Sequence, residues 1–193
     1  AAYHNYNYLL AKENLTDHLD ISEKRNKIRH RLLKIRAKKV IIATGSIERP
    51  LIFNNNDRPG IILSSSVKKY IDYYGVKTGN KVSIFTNNDS SYETAIALKK
   101  SGVIVNPIID IREKSNSLIV KSAEKLGIKI LWKHAVINTT GYKKINSVEI
   151  MELSDDGKNL VGKKIKQSCD CLCISGGWTP MVHLFTQSGG KLK

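Results

Sequence analysis

The chain is 193 residues long with 41% hydrophobic and 25% charged side chains, enough apolar content for a real core in one large domain or two small ones, and too much for a disordered chain. A net charge of +15 would ordinarily point to nucleic acid or an acidic membrane, but 25 lysines spread along the whole length against seven arginines form no clustered bidentate patch, which argues against nucleic-acid recognition. No apolar run reaches the roughly 18 residues of a membrane span, and the polar, aromatic start carries no signal peptide, so the expectation is a cytoplasmic protein without membrane contact.

In chain order, residues 2–13 alternate aromatic and polar side chains at Tyr6 and Tyr8 and read as a strand, followed by a polar connector from Asn14 to Lys27. Ile28 to Arg36 reads as a second strand whose charges suit an edge. Val40 to Ala43 is apolar on both faces, so it predicts a central strand running into the turn Thr44-Gly45. Residues 54–60, dense in Asn, Asp, Pro and Gly, form a surface loop. Ser64-Ser65-Ser66 offers an N-cap to a helix with Val67, Tyr70, Ile71 and Tyr74 on one face, ended by Gly75.

Val82 to Phe85, Ser91 to Ser101 and Val103 to Ile109 make a strand, helix and strand ending at Asp110, a βαβ unit. Dinucleotide-binding units carry three glycines in the first turn and an acidic residue about 20 positions on that takes the ribose. Asp110 is so placed, but the turn is Thr86-Asn87-Asn88-Asp89-Ser90-Ser91. With Asp89, Ser90 or Ser91 capping the helix amides, and a carboxylate repelling phosphate, the anion site is expected to be lost. A helix from Ser115 or Ser117 with Leu118, Ile119, Ala123 and Leu126 inward follows, then a strand from Ile128 to Trp132. Three antiparallel strands are expected at His134–Thr139, Ser147–Leu153 and Leu160–Gln167. The last strand, Cys169 to Ser175, ends in Gly176-Gly177-Trp178, and Met181 to Phe185 resumes helical spacing. Cys169, Cys171 and Cys173 alternate, so they are expected on one buried face as apolar packing residues. No C-x-x-C pair is present for zinc or redox work, and the closely spaced odd set fits a reducing compartment.

The order of these parts resembles the two-dinucleotide-domain flavoprotein reductases: a strand ending in Ala43-Thr44-Gly45, a Pro/Asn/Asp loop, an inserted βαβ domain finished by antiparallel strands, and a strand ending in Gly176-Gly177. Within that superfamily, four stretches are similar to the alpha subunits of heterotetrameric sarcosine oxidase. They are residues 43–51, residues 55–60, residues 85–89, and residues 175–180 with Val182-His183-Leu184-Phe185. The resemblance implies an α/β, Rossmann-like FAD/NAD(P)-binding fold. Residues 1–76 and 169–193 would be a discontinuous, incomplete first dinucleotide-binding domain, and residues 77–168 an inserted domain with a degenerate glycine motif. The alanine start and the trailing Ser188-Gly189-Gly190-Lys191 suit a piece of a longer polypeptide.

The resemblance further implies NAD held by this subunit, FAD and a covalent FMN in or at a partner subunit, and tetrahydrofolate on a later part of the alpha chain. The complex would oxidise N-methylglycine to glycine, with amine oxidation on the partner's flavin, so no catalytic and no metal-binding residue is expected here. Candidate cofactor contacts are Ala43, Thr44, Gly45, Arg49, Gly176, Gly177 and Trp178, with Trp178 a lid over a nicotinamide or adenine ring. His134 and His183 read as structural. Two other readings are a self-sufficient pyridine nucleotide-disulfide reductase, which needs a redox cysteine pair, and a basic module for polyanions, motivated by charge alone.

Overall fold

The computed structural model describes residues 1–192. The elements in order are β1 (Ala2–His4), β2 (Tyr8–Asn14), α1 (Ile21–Lys24), β3 (His30–Arg36), β4 (Ser46–Glu48), β5 (Ile61–Leu63) and α2 (Ser64–Asp72). There follow β6 (Lys81–Thr86), α3 (Ser90–Lys100), β7 (Ile104–Asp110), α4 (Leu118–Lys125) and β8 (Ile130–Trp132). The chain closes with β9 (His134–Thr140), β10 (Ser147–Leu153), β11 (Leu160–Ser168), β12 (Cys171–Ser175), β13 (Trp178–Pro180) and α5 (His183–Gln187). Two compact units result, one of Ala1–Ile47 with the residues from Thr179 onward, the other of Glu48–Trp178. The boundaries expected after residues 76 and 168 therefore fall inside the second unit. The reason is hydrogen bonding: β5 and β12 pair in parallel with each other, and β12 with β6, so the strands on both sides of those boundaries share one sheet.

In the first unit β1, β2 and β3 form an antiparallel sheet in that order, with β3 at an edge as its charges predict. The opening aromatic stretch is a hairpin rather than one strand, because Tyr6 and Asn7 turn the chain with φ of 60° and 56°. Val40–Ala43 is no strand, and Ile41 is 93% exposed. Apolar pattern alone does not make a strand; its amides and carbonyls need a neighbouring strand, and Val40–Ala43 pairs with none among the described residues.

The second unit is built on a five-stranded parallel sheet, β5-β12-β6-β7-β8. One face packs α2, α3 and α4 through Val67, Ala95, Leu98, Val120, Ala123 and the sheet residues Val82, Ile84, Ile108, Cys171 and Cys173. The other face packs the antiparallel layer β9, β10 and β11 through Phe85, Ile109, Leu172, Ile174, Val136, Val148 and Ile150. Burying each such branched side chain contributes about 1.5–3 kcal/mol, which is why both faces of β6, β7 and β12 are apolar. The cysteine expectation needs one correction: Cys171 and Cys173 share the helix-side face, but Cys169 precedes β12 in a corner and packs on the opposite side.

Helix facing differs from the expected stripes in two places. In α2 Val67 is buried, whereas Tyr70, and Tyr74 just beyond the helix, are 45% and 57% exposed. In α4 Val120 and Ala123 point inward, and Leu118, expected inside, is 83% exposed.

Candidate functional site

The expected cofactor residues fall into two local groups, one in each unit. In the first unit Ala43-Thr44-Gly45 is an exposed turn in which Gly45 has φ +68°, and a Cβ there would meet nothing within 4 Å. Thr44 Oγ1 donates to the carbonyl of Met181 at 2.5 Å and the Met181 amide to the carbonyl of Gly45 at 2.9 Å, which fixes the turn. The amides of Ala43, Thr44 and Gly45 make no hydrogen bond among the described residues. Successive N–H groups around a left-handed glycine are an anion-binding concavity.

In the second unit the backbone brings Arg49 against Gly176 and Gly177. The Arg49 amide donates to the Gly177 carbonyl at 2.8 Å, and the Gly176 amide to the Arg49 carbonyl at 2.6 Å. A Cβ on Gly176 would lie 2.8 Å from the carbonyl oxygen of Pro50, so this glycine is required by backbone approach of the chain to itself. Gly177, at φ +93°, makes the turn that follows. The Arg49 side chain is exposed and forms no salt bridge among the described residues. Trp178 is 43% exposed, and its indole Nε1–H donates to Ser90 Oγ at 3.0 Å, which ties it to the start of α3.

The β6–α3 turn has the position of a nucleotide cradle and is closed from within. Asn88 performs the capping expected of Asp89, Ser90 or Ser91: its Oδ1 accepts from the Ser90 amide at 3.1 Å and the Ser90 hydroxyl at 2.6 Å. Ser91 instead donates to Thr86 Oγ1 at 2.9 Å. Asp89 accepts from the Arg112 guanidinium at 2.8 Å. Asp110, at the end of β7 where a ribose would be read, is fully buried. It accepts from Arg112 Nη2 at 2.8 Å, Arg112 Nε at 3.1 Å, the Arg112 amide at 3.0 Å and the Tyr92 hydroxyl at 2.8 Å. Hydrogen bonding to Asp110 raises the Arg112 pKa above its usual range, and burial followed by the Asp110 charge raises that of Tyr92. Every acceptor position of Asp110 that a ribose hydroxyl would use is filled by the protein. The residues present do not fit a dinucleotide at this turn.

Glu48 was not legible as a functional residue. It is 4% exposed and caps α2, accepting from the Ser65 amide on Oε2 at 2.8 Å, the role expected of the serines themselves. Its Oε1 has no partner among the described residues, a loss of about 1–3 kcal/mol for a buried acceptor. Nothing local marks Glu48 or Tyr92, whose partners Ser65 and Asp110 lie 17 and 18 positions away, whereas Asn88 and Arg112 also bond residues two positions away.

The three thiols are buried and free. Burial pushes the Cys169 thiol up to about 11, and the hydrogen bond between Cys171 and Cys173 raises the pKa of Cys173 and lowers that of Cys171. Thiols buried in this way are out of reach of a substrate. His134 Nδ1 lies 2.6 Å from the Trp132 carbonyl, a structural role. Among the described residues no group of three His, Cys, Asp or Glu side chains has metal-binding geometry, and no helix is long and apolar enough to cross a membrane.

This fold is that of the FAD/NAD(P)-binding oxidoreductases. The structure is similar to T. acidophilum thioredoxin reductase with a TM-score of 0.64 at 22% identity, covering 85% of this chain and 53% of that one. It is also similar to L-proline dehydrogenase from P. horikoshii, with a TM-score of 0.56 at 21% identity over 98% of this chain and 28% of that one. No family model matches the sequence. In sequence the chain is similar to the alpha subunits of sarcosine oxidase: it is 37% identical to that of Corynebacterium sp. strain U-96 over 186 residues, and 35% identical to that of Rhizobium meliloti strain 1021 over 162 residues. The first match takes in 96% of this chain and 19% of the relative, so the chain spans about a fifth of the length of the curated relatives it matches.

Proposed function

We propose that the chain is the dinucleotide-holding part of the alpha subunit of a sarcosine oxidase-like complex, an oxidoreductase acting on a CH–NH donor. The nucleotide is NAD, bound in the first, discontinuous domain. FAD and FMN belong with a partner subunit, tetrahydrofolate with another part of the alpha chain, and the complex demethylates N-methylglycine oxidatively to glycine. The observation that supports binding here is the Gly45 turn, where an open left-handed glycine leaves three successive amides without partners among the described residues. Ala43, Thr44 and Gly45 would meet the pyrophosphate through those amides; in the other unit Arg49, Gly176, Gly177 and Trp178 are the remaining candidate nucleotide contacts. The Thr44 side chain, bonded to Met181, holds the turn in shape and is not free to contact the ligand.

A bound dinucleotide would supply redox or purely structural binding energy. Chemistry on the amine falls to the partner's flavin, since this chain offers only buried thiols and a filled second cradle. The same two observations disfavour a self-sufficient disulfide reductase, whose exchange chemistry requires accessible low-pKa thiols. The protein works in the cytoplasm as one subunit of a hetero-oligomer, without nucleic-acid or membrane partners.

The test is to purify the full-length alpha subunit with its partner subunits and quantify released nucleotides alongside N-methylglycine-dependent peroxide formation. NAD in equal amount with the alpha chain and flavin with the partner is expected. Replacing Gly45 by Val, which strains the turn and fills its open side, lowers NAD retention. An active complex free of NAD refutes the assignment of the nucleotide, and a complex inactive on N-methylglycine refutes the reaction.

A further inference from the structure

The strand β11 presents an edge that the dinucleotide reading does not use. It runs nine residues, Leu160–Ser168, where no other described strand exceeds seven, and it ends the order β11-β10-β9 with β10 as its one partner among the described residues. The backbone of residues 160–167 bonds to no other element among the described residues, so the amides and carbonyls of alternate residues point outward along the strand. Eight of the nine residues are exposed, with Leu160, Val161 and Ile165 at 47%, 39% and 42%.

Charge decides what can pair with that edge. β11 carries Lys163, Lys164 and Lys166 and no carboxylate. Lys164 is bound to Glu149 at 3.1 Å, whereas Lys163 and Lys166 form no salt bridge among the described residues. A second copy is a poor fit. Two β11 edges paired antiparallel about residues 164 and 165 would set Lys163 against Lys166 twice, and like charges directly opposite destabilise a ladder. Each chain also brings a net charge of +15. A nucleic acid answers the lysines but not the backbone, because the outward donors and acceptors alternate at strand spacing and phosphates only accept. An extended polypeptide with carboxylates on both faces answers both: its main chain takes up the open ladder, and its carboxylates pair with Lys163 and Lys166. The lysines that repel a second copy thus select an acidic strand.

We propose that β11 is a docking edge for an extended acidic segment of a partner subunit, which adds to the β9–β11 sheet as a fourth strand. The proposal rests on the reading of the chain as one subunit of a hetero-oligomer.

The test has two arms. In the first, the 193-residue chain is titrated by NMR at constant ionic strength with the acetylated, amidated peptide Val-Glu-Glu-Val-Glu-Glu-Val, following the amides of residues 160–168. Saturable shifts and slowed hydrogen exchange at alternate amides are expected. The same peptide with Lys for Glu lacks the charge, and one with every amide N-methylated lacks the ladder; both are expected to leave the resonances unmoved. Lys163→Gln combined with Lys166→Gln, both at exposed positions, weakens binding about three- to tenfold. No saturable shift with the acidic peptide, an equal response to its N-methylated form, or unchanged affinity in the double variant overturns the docking edge.

In the second arm, hydrogen exchange of β11 is compared in the full-length alpha chain alone and with its partner subunits. Protection that appears on assembly supports the proposal. Protection already present in the full-length chain alone gives the edge to another part of the same polypeptide and overturns it, as does a formed complex that leaves β11 unprotected. If no complex forms, the hetero-oligomer reading is refuted and the partner with it.

Discussion

Arg112→Ala removes the internal cation that closes the β6–α3 turn, and its cost follows from what Asp110 is left with. Asp110 is fully buried, and its pairing with Arg112 runs through contacts of 2.8 and 3.1 Å, while a further 2.8 Å contact joins the guanidinium to Asp89. Breaking a buried ion pair from one side costs about 3–5 kcal/mol, because a desolvated charge is stranded. Two features reduce this. The Arg112 side chain is 31% exposed, so water enters as it leaves, and the Tyr92 hydroxyl at 2.8 Å and the residue-112 amide at 3.0 Å still donate to Asp110. We therefore expect a loss of about 2–4 kcal/mol, read by urea denaturation with the slope unchanged. Asp110→Asn removes the charge that needs the cation, so in the double variant the second loss is smaller than in isolation, with coupling of about 1–3 kcal/mol. A loss under about 0.5 kcal/mol, or strict additivity, refutes the view that Arg112 neutralises a buried carboxylate here.

Gly176→Ala forces a methyl group against the Pro50 carbonyl, 2.8 Å from where it must sit, and lowers stability by about 1–3 kcal/mol in thermal melts; an unchanged melting temperature contradicts the close approach. Ellman's reagent at pH 8 is expected to leave all three cysteines of the native chain unmodified and to label three in urea, whereas prompt labelling of even one native thiol denies their burial. Alkali destabilises the fold. Cys169 holds its proton to about pH 11 when folded against about 9 in the open chain, so its contribution is complete below pH 9 and is lost as the pH rises to 11. The change amounts to about 2–3 kcal/mol, and Cys173 and Tyr92, whose pKa values are also raised, act in the same sense. Denaturation free energies measured from pH 8 to 11 should fall, and Cys169→Ala should fall less steeply; a flat profile sinks the argument.

Much of the second unit was legible in the chain itself. Short apolar runs separated by turn residues placed β6, α3, β7, the three antiparallel strands and β12 within a few residues of where they lie, because strands buried on both faces and helices covering them impose simple periods. The loss of the nucleotide cradle was legible too, since Asn87-Asn88-Asp89 in place of glycines admits no close backbone approach by an anion. The sequence alone also located the turns at Gly45 and Gly177, where left-handed backbone makes glycine necessary.

Only the tertiary structure decided who does what within those elements. Val40–Ala43 had a strand's composition but found no neighbouring strand to pair with, and a strand exists only through its neighbour. The cap of α2 came from Glu48 rather than from its serines, and the closure of the turn from Asn88 and Arg112 rather than from Asp89 alone. The Arg112 guanidinium reaches Asp89 across 23 positions, and the Trp178 indole reaches Ser90 across 88. Hydrogen bonds and buried charges between residues so far apart leave no periodic trace in a sequence, because their partners are chosen by which strands and helices the sheet sets side by side.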